Sequence, residues 1–227
     1  MSETLILAAI LIPCLIIAIV FHEVAHGWAA LALGDPTAKE RNRLSFNPLR
    51  HVDPIGTILV PGFLALVSGP IFGWAKPVPV LKNRLHNPRF GMMAVAAAGP
   101  GMNFVLAAIG AVILGLSWDH IGVIGAGEEP GWLVQGLTYF ILINVFLGVF
   151  NLLPIPPFDG SHILEGLLPA PLRKHFSKLQ KLGMGLIFGL IALTWFLPEL
   201  RIFENTVLPP VEWAMGYYMG LAEAIAG

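Results

Sequence analysis

Residues Thr4–Leu33 read TLILAAILIPCLIIAIVFHEVAHGWAALAL, an apolar run interrupted only at His22, Glu23 and His26. A helix that crosses a bilayer needs about 20 predominantly apolar residues, so this run predicts a long first membrane span. The sequence Gly34-Asp35-Pro36 follows and ends the helix. No Lys or Arg precedes the run and no small-residue cleavage site comes before the histidines, so we expect a retained span and not a cleaved signal peptide.

The composition of the whole chain is typical of a membrane protein. Hydrophobic residues make up 56% of the 227 residues and charged residues only 12%, whereas an ordinary soluble domain carries roughly 25% charged residues. So few charges cannot cover the surface of a soluble protein of this size. The length suffices for five or six spans but not for an additional large soluble domain. We therefore expect one all-α, polytopic transmembrane domain over residues 1–227.

Five further apolar stretches follow the first. They are Ile55–Trp74, Met92–Leu116, Trp132–Leu153, Leu182–Leu197 and Val207–Ile225. Prolines and glycines break the first of these, a pattern that suits backbone entering a membrane without forming a regular helix. The third runs into the proline-rich sequence Pro154–Gly160, where a regular helix cannot continue.

The distribution of basic residues predicts the topology. Twelve of the thirteen Lys and Arg residues lie in three segments that we expect to be loops, the last of them Pro169–Lys181. These residues are Lys39/Arg41/Arg43/Arg50, Lys76/Lys82/Arg84/Arg89 and Arg173/Lys174/Lys178/Lys181. The positive-inside rule places all three segments in the cytoplasm, and the acidic loop at 118–131 outside. This holds only if Ile55–Trp74 enters the membrane and returns. We therefore expect five crossings plus a re-entrant or β-hairpin segment before the span that contains Gly99-Pro100-Gly101; six crossings is the alternative.

The polar interruption of the first span has the spacing of a metal site. In His22-Glu23-Val24-Ala25-His26, the two histidines are four residues apart, so both imidazoles lie on one helix face and reach a single ion. The glutamate between them is placed to act as a general base on a water activated by zinc. Ionisable groups are costly inside a membrane. The alternative, polar side chains that bond between helices, explains one such residue better than three at ligand spacing.

A catalytic zinc of this kind needs a third protein ligand, and Asp159 is the leading candidate. The other aspartates, Asp35, Asp53 and Asp119, lie in predicted loops. Asp159 follows a helix-breaking run at the cytoplasmic end of a span, at the depth expected for His26. The alternative role is a turn or a helix cap, since Asp-Gly is a common turn sequence. The single cysteine, Cys14, excludes a cysteine-based metal site.

The chain resembles the site-2 protease family of intramembrane zinc metalloproteases (peptidase family M50), in its compact prokaryotic branch without PDZ or CBS domains. The resemblance rests on HEVAH (His22–His26), AAGPGMNF (Ala97–Phe104), FNLLPIPPFDGSHIL (Phe150–Leu164) and RLSFNPLRHVDPIGT (Arg43–Thr57). It implies that His22, His26 and Asp159 bind one Zn²⁺ per chain and that Glu23 is the catalytic base.

The same resemblance implies a second catalytic residue and a class of substrate. Asn151 matches the family asparagine eight residues before the aspartate, and its amide would hold the substrate carbonyl or the oxyanion; an interhelical hydrogen bond is the alternative. The expected substrates are transmembrane proteins. The expected location is the plasma membrane, with the active site toward the cytoplasm.

Two other functions are weighed against proteolysis. A metal transporter or metal-binding membrane scaffold is the first, but one compact cluster without an inverted repeat does not indicate a transport path. An inactive relative that binds membrane proteins is the second, and the presence of His22, Glu23, His26 and Asp159 argues against it. No basic–aromatic pattern indicates nucleic-acid binding. We expect Asn103 and Asn144 to bond between helices.

Overall fold

The structure is a computed structural model that describes residues 3–66, 73–118 and 131–227. These residues form α-helices, short 3₁₀ turns and one π-helical turn at Pro54–Leu59, with no strand among them. The α-helices are α1 (Glu3–Ala32), α2 (Thr37–Glu40), α3 (Val60–Leu66), α4 (Pro88–Ser117), α5 (Trp132–Asn151), α6 (Asp159–Leu167), α7 (Ala170–Gln180), α8 (Gly183–Phe196), α9 (Ile202–Thr206) and α10 (Leu208–Ala226). The predicted all-α class is therefore observed.

Three of the described helices are long and apolar enough to cross a membrane: α1 over Leu5–Ala32, α4 and α5. A fourth span results if α7 and α8, which meet at a bend of 68°, are counted as one. The predicted span Leu182–Leu197 corresponds to α8 alone, which has 14 residues. The predicted span Val207–Ile225 forms α10, which is not among these candidates. The basic segment Pro169–Lys181, expected as a loop, forms α7.

Helix α4 lies at the centre of the fold and packs against α1, α5, α6 and α10. Its N-terminus is capped by Asn87, whose side-chain oxygen accepts from the backbone N–H groups of Arg89 and Phe90. The main apolar cluster lies between α4, α5 and α10 and includes Leu114, Ile141 and Val145, all fully buried. Large apolar side chains on the outer faces of α1 and α4 are exposed, as expected where lipid takes the place of a protein core.

The two ends of the predicted re-entrant segment Ile55–Trp74 meet each other. Its first part forms the π-helical turn and α3, and residues 67–72 lie outside the described residues. The backbone N–H of Trp74 donates to Gly56 O at 3.0 Å, and Thr57 Oγ1 donates to Trp74 O at 2.9 Å. Asp53 caps the turn, since its side chain accepts from the N–H groups of Ile55 and Gly56. The backbone at Trp74 thus returns to the position from which the segment starts, beside Gly56 and Thr57.

Candidate metal centre and active site

His22 and His26 lie one helical turn apart toward the C-terminal end of α1. Their spacing places both rings on the same helix face, and packing against α4 leaves them only 7% and 9% exposed. The two Nε2 atoms are 3.0 Å apart, with the rings nearly perpendicular at 86°. Two buried imidazoles therefore direct the same ring atom to one point.

Asp159 is brought to that point by the break between α5 and α6. Its Oδ2 lies 3.1 Å from His22 Nε2 and 3.2 Å from His26 Nε2. The proline-rich run folds back tightly, because a Cβ atom on Gly160 would lie 2.1 Å from the carbonyl oxygen of Leu152; only glycine fits there. The structure thus brings together the three side chains predicted as metal ligands.

The outer nitrogens of both imidazoles face oxygen acceptors. His26 Nδ1 lies 2.7 Å from the backbone carbonyl of Val95, and His22 Nδ1 lies 2.6 Å from Asn103 Oδ1. A carbonyl oxygen only accepts, so each Nδ1 carries a proton, and in the neutral form of each ring the lone pair is on the inward-facing Nε2. Metal-bound histidines are held by hydrogen bonds of this kind.

The resulting arrangement fits a cation. Two Nε2 lone pairs and a carboxylate oxygen are all acceptors, and three acceptors 3.0–3.2 Å apart repel one another unless a positive charge lies between them. Zinc–nitrogen bonds of about 2.0–2.1 Å in tetrahedral geometry would separate neighbouring ligand atoms by about 3.4 Å. The donor set of two imidazoles and one carboxylate suits zinc and leaves a fourth position open.

Gly99 of α4 leaves the space in front of the two histidines clear. A Cβ atom at this position would lie 2.4 Å from His26 Nε2 and 2.6 Å from His22 Nε2. No side chain can therefore replace the glycine hydrogen without entering the space between the ligands.

Glu23 lines the same cavity as the three ligands but does not join their cluster. Its Oε2 accepts a hydrogen bond of 2.7 Å from the backbone N–H of Val78. The carboxylate is thus held beside the ligands by the chain segment that follows Trp74. Its role in proton transfer, predicted from its position in the motif, stays a prediction.

Asn151 also lines the cavity, at the C-terminal end of α5. Its Nδ2 donates to the backbone carbonyl of Leu147 at 3.0 Å, which leaves the second amide N–H for another acceptor. No contact joins Asn151 to His22, His26 or Asp159 among the hydrogen bonds of the described residues. The structure therefore places it in the site at some remove from the metal ligands.

The cavity has a volume of about 480 Å³. Its lining includes Glu23 and the three predicted ligand side chains, and Asn151 and His162 add two further polar groups. Most of the remaining wall is apolar and includes Ile19, Leu147, Phe150, Phe158, Met184 and Ile187. This volume is large enough for several side chains of a peptide.

The segment Lys76–Leu81 forms one side of the cavity and is fixed to the loop that follows α1. Arg43 Nη2 donates to Lys76 O at 2.6 Å, and the backbone N–H of Lys76 donates to His51 O at 2.8 Å. At the other end, the N–H of Leu81 donates to Asp35 Oδ2 at 2.6 Å. The contact to Glu23 therefore belongs to a segment anchored at both ends.

Asp35 is fully buried and organises the second of these anchors. It accepts hydrogen bonds from the backbone N–H and the hydroxyl of Thr37 as well as from Leu81. Burial alone raises the pKa of Asp35, but these hydrogen bonds and the charge of Arg84 outweigh it, so the pKa lies below its ordinary value of 3.8. The carboxylate is thus stabilised in its charged form.

Helix α6, which begins with Asp159, is held at its other end by an ion pair and by hydrogen bonds from an arginine side chain. Lys82 Nζ lies 3.0 Å from Glu165 Oε1. The Arg89 guanidinium donates to the carbonyls of Gly166 and Leu168 at 2.7 and 3.2 Å, which satisfies carbonyl groups that the helix leaves free. These contacts hold the C-terminal end of α6 and so help to orient the helix that carries Asp159.

Several site groups had no distinct signal in the sequence. The role of Asn103 beside His22 was predicted only as an interhelical hydrogen bond. The acceptor on His26 is the backbone carbonyl of Val95, and the donor to Glu23 is the backbone N–H of Val78. Almost any residue type supplies the same backbone N–H and C=O groups, so the sequence does not mark these contacts. They become visible only in the packing of α4 and of the Lys76–Leu81 segment.

Comparisons with known proteins give one consistent result. The family model described as peptidase family M50 matches residues 120–194. YwhC of Bacillus subtilis, provisionally named a zinc metalloprotease, is 39% identical over 184 residues, which are 81% of this chain and 80% of YwhC. Rip2 of Mycolicibacterium smegmatis, with the same kind of name, is 27% identical over 75% of this chain and 61% of its own. No solved structure matches this chain.

An archaeal relative extends the comparison. MJ0611 of Methanocaldococcus jannaschii, also provisionally named a zinc metalloprotease, is 35% identical over 109 residues. The match covers 47% of this chain and 50% of MJ0611. The chain thus spans most of YwhC but a smaller part of the other two relatives.

Proposed function

This chain belongs to peptidase family M50 and is a metalloprotease, and we propose that it hydrolyses peptide bonds of transmembrane protein substrates within or near the bilayer. The family membership expected from the motifs at His22–His26 and Phe150–Leu164 is confirmed. The proposal adds the site residues, the single zinc ion per chain, the intramembrane setting and the class of substrate.

The observation that carries the proposal is the convergence of three acceptors. His22 Nε2, His26 Nε2 and Asp159 Oδ2 lie 3.0–3.2 Å from one another, and both rings are oriented by acceptors behind them. We infer that these atoms bind one zinc ion. A bound zinc ion supplies Lewis acidity, which activates water and polarises a substrate carbonyl.

Glu23 performs the proton transfers in this proposal. Its carboxylate lies in the cavity beside the three ligands, where it takes a proton from the attacking water and then delivers it to the leaving amine. The hydrogen bond from Val78 fixes one of its oxygens, so the other is available for the reaction. A positioned general base of this kind contributes about 10²–10⁴-fold to a rate.

We propose that the amide of Asn151 donates a hydrogen bond to the carbonyl oxygen of the substrate. Asn151 lines the cavity, and because one of its amide N–H groups donates to Leu147 O, the other remains for a substrate oxygen. A neutral donor that meets developing negative charge stabilises the transition state more than the substrate. We therefore infer that Asn151 acts on the reacting carbonyl and leaves metal binding to the three ligands.

The setting of the cavity supports a transmembrane substrate. Two of the three ligands, His22 and His26, lie on helix α1, which is long enough to span a membrane, and the cavity walls are largely apolar. A substrate helix hides its carbonyls in its own hydrogen bonds, so it must unwind locally before it can react. We infer that an unwound peptide pairs with the segment Lys76–Leu81 mainly through its carbonyl groups. The prolines of this segment have no N–H, and the N–H groups of Lys76, Val78 and Leu81 already donate within the protein.

We further propose five crossings, which take α8 and α10 as spans beside α1, α4 and α5, and a re-entrant segment at Ile55–Trp74. The membrane is the plasma membrane, with the site toward the cytoplasm. The contact between Gly56 and Trp74 supports a segment that returns to the side from which it entered. The three basic segments then lie together in the cytoplasm. Labelling of cysteines introduced at Arg50 and Lys82 tests this, and labels on opposite sides would favour six crossings.

The functional test uses purified protein in lipid nanodiscs and a library of single-span membrane peptides, with products identified by mass spectrometry. Wild type is expected to cleave, and Glu23→Gln is expected to retain zinc but lose cleavage by about 10²–10⁴-fold. Glu212→Gln is the matched control, because Glu212 is an exposed glutamate of α10. Equal cleavage by Glu23→Gln would contradict the role of Glu23. Zinc uptake into liposomes without any cleavage would instead favour a transporter.

A further inference from the structure

The cluster behind His22 is a chain of two fully buried asparagines. Asn103 of α4 and Asn144 of α5 are both 0% exposed, and Asn103 Nδ2 donates to Asn144 Oδ1 at 2.9 Å. Asn103 Oδ1 lies 2.6 Å from His22 Nδ1. Two amides in a membrane-spanning bundle are costly to bury, so their arrangement calls for a reason beyond helix packing.

We propose that Asn103, held in orientation by Asn144, is a positioning residue that fixes the proton of His22 on Nδ1 and thereby sets the affinity of the site for zinc. This inference rests on the zinc site of the proposed function. Neither asparagine contacts the ligand atoms themselves, and both act through His22.

The orientation of each amide is determined by a backbone carbonyl. Asn144 Nδ2 donates to Phe140 O at 2.9 Å, so Asn144 must turn its oxygen toward Asn103. Asn103 Nδ2 donates to that oxygen and also to Ala18 O at 3.2 Å. If the Asn103 amide were flipped, its oxygen would face the two acceptor oxygens, and neither hydrogen bond could form. The two carbonyls therefore leave Asn103 Oδ1 pointing at His22.

The fixed amide in turn selects one form of the imidazole. An oxygen at 2.6 Å from Nδ1 requires a proton on that nitrogen, which leaves the lone pair of Nε2 for a metal. Hydrogen bonds in such a chain polarise one another, so donation by Asn103 Nδ2 strengthens its oxygen as an acceptor. The imidazole of His22 becomes a better ligand as a result.

The two histidines thus differ in how they are held. His26 Nδ1 meets the backbone carbonyl of Val95, which cannot reverse and which no substitution removes. His22 depends on side chains from two other helices. Substitution at Asn103 therefore perturbs one ligand and leaves the other unchanged, which makes the inference testable by metal binding alone.

The test compares wild type, Asn103→Leu and Asn144→Leu, each stripped of metal and titrated with zinc against a chelator. The expected loss of zinc affinity is about 10–100-fold for Asn103→Leu, the usual effect of removing such a partner. For Asn144→Leu it is about fivefold, the effect of one neutral hydrogen bond, because Ala18 O still anchors Asn103. The double variant is expected to match Asn103→Leu, since both substitutions act through one contact.

Two further readouts separate positioning from a structural role. Cobalt(II) bound in place of zinc should show an altered visible spectrum in Asn103→Leu, because the geometry of one ligand changes. Thermal melting of the metal-free protein reports folding separately. Tyr218→Phe is the matched control: it removes a hydrogen bond of 3.1 Å between α10 and the Phe104 carbonyl of α4 and is expected to leave zinc affinity and spectrum unchanged.

The outcomes are distinct. Folded Asn103→Leu with wild-type zinc affinity and cobalt spectrum overturns the inference. If Asn103→Leu does not fold, Asn144→Leu decides, and unchanged affinity there overturns it equally. If wild type itself binds no zinc, the proposed function fails together with this inference.

Discussion

Glu23 and Val78 are joined by a hydrogen bond of 2.7 Å from the backbone N–H of Val78 to the Glu23 carboxylate, although 55 positions separate them in the chain. The group proposed as the base is therefore tied to the segment proposed to pair with the substrate. If both proposals hold, a peptide that reaches Glu23 lies close to Lys76–Leu81, and proton transfer and substrate alignment depend on the same stretch of backbone.

Arg43→Gln should weaken substrate binding without removing zinc. Arg43 is buried and donates to Lys76 O, and a hydrogen bond from a charged donor contributes roughly 1.5–3 kcal/mol. We expect the KM for a cleaved peptide to rise about tenfold or more, with zinc content unchanged. Arg41→Gln, at an exposed neighbouring arginine, is the control. Loss of zinc in Arg43→Gln would mean that Arg43 supports the metal site itself.

Gly99→Ala should abolish zinc binding. The added Cβ would lie 2.4 and 2.6 Å from the two Nε2 atoms, close to the position that a zinc ion occupies at about 2.0–2.1 Å from each nitrogen. Gly101→Ala is the control, because nothing lies within 4 Å of a Cβ there. Metal analysis of both variants after zinc loading checks this. A full complement of zinc in folded Gly99→Ala would show that the ion binds elsewhere.

Asp35→Asn should destabilise the protein at neutral pH, and less so in acid. The pKa of Asp35 is lowered in the folded protein, so its stabilising contribution is present above its unfolded pKa of about 3.9. That contribution disappears as the pH falls through the lower, folded pKa. Thermal melting in detergent between pH 3 and pH 7 should show a gap between wild type and variant that narrows below about pH 4. A gap independent of pH would contradict the assignment of a stabilised carboxylate.

Local spacing was enough to predict much of the site. The four-residue spacing of His22 and His26 fixes their common face on any helix, and the structure shows it. The position of Asp159 after a run of prolines, at the end of a span, predicted its meeting with the histidines. These predictions required only helix geometry and the number of aspartates available.

The remaining features depend on tertiary packing. The charges of Arg173–Lys181 suggested a loop, but the segment forms α7, because charged residues such as Lys and Arg are good helix formers. The acceptors behind the histidines come from the packing of α4 on α1. The contact between Val78 and Glu23 is made by a backbone group of a proline-rich segment, whose path no periodicity in the sequence determines.

The most direct test of the account is zinc K-edge X-ray absorption of the purified protein, combined with metal analysis of wild type and Asp159→Ala. We expect one zinc per chain with two imidazole nitrogens at about 2.0–2.1 Å and carboxylate and solvent oxygens at about 2.0–2.2 Å. We also expect Asp159→Ala to lose the ion. Absence of stoichiometric zinc from wild type, or an identical spectrum and zinc content in Asp159→Ala, would contradict the account.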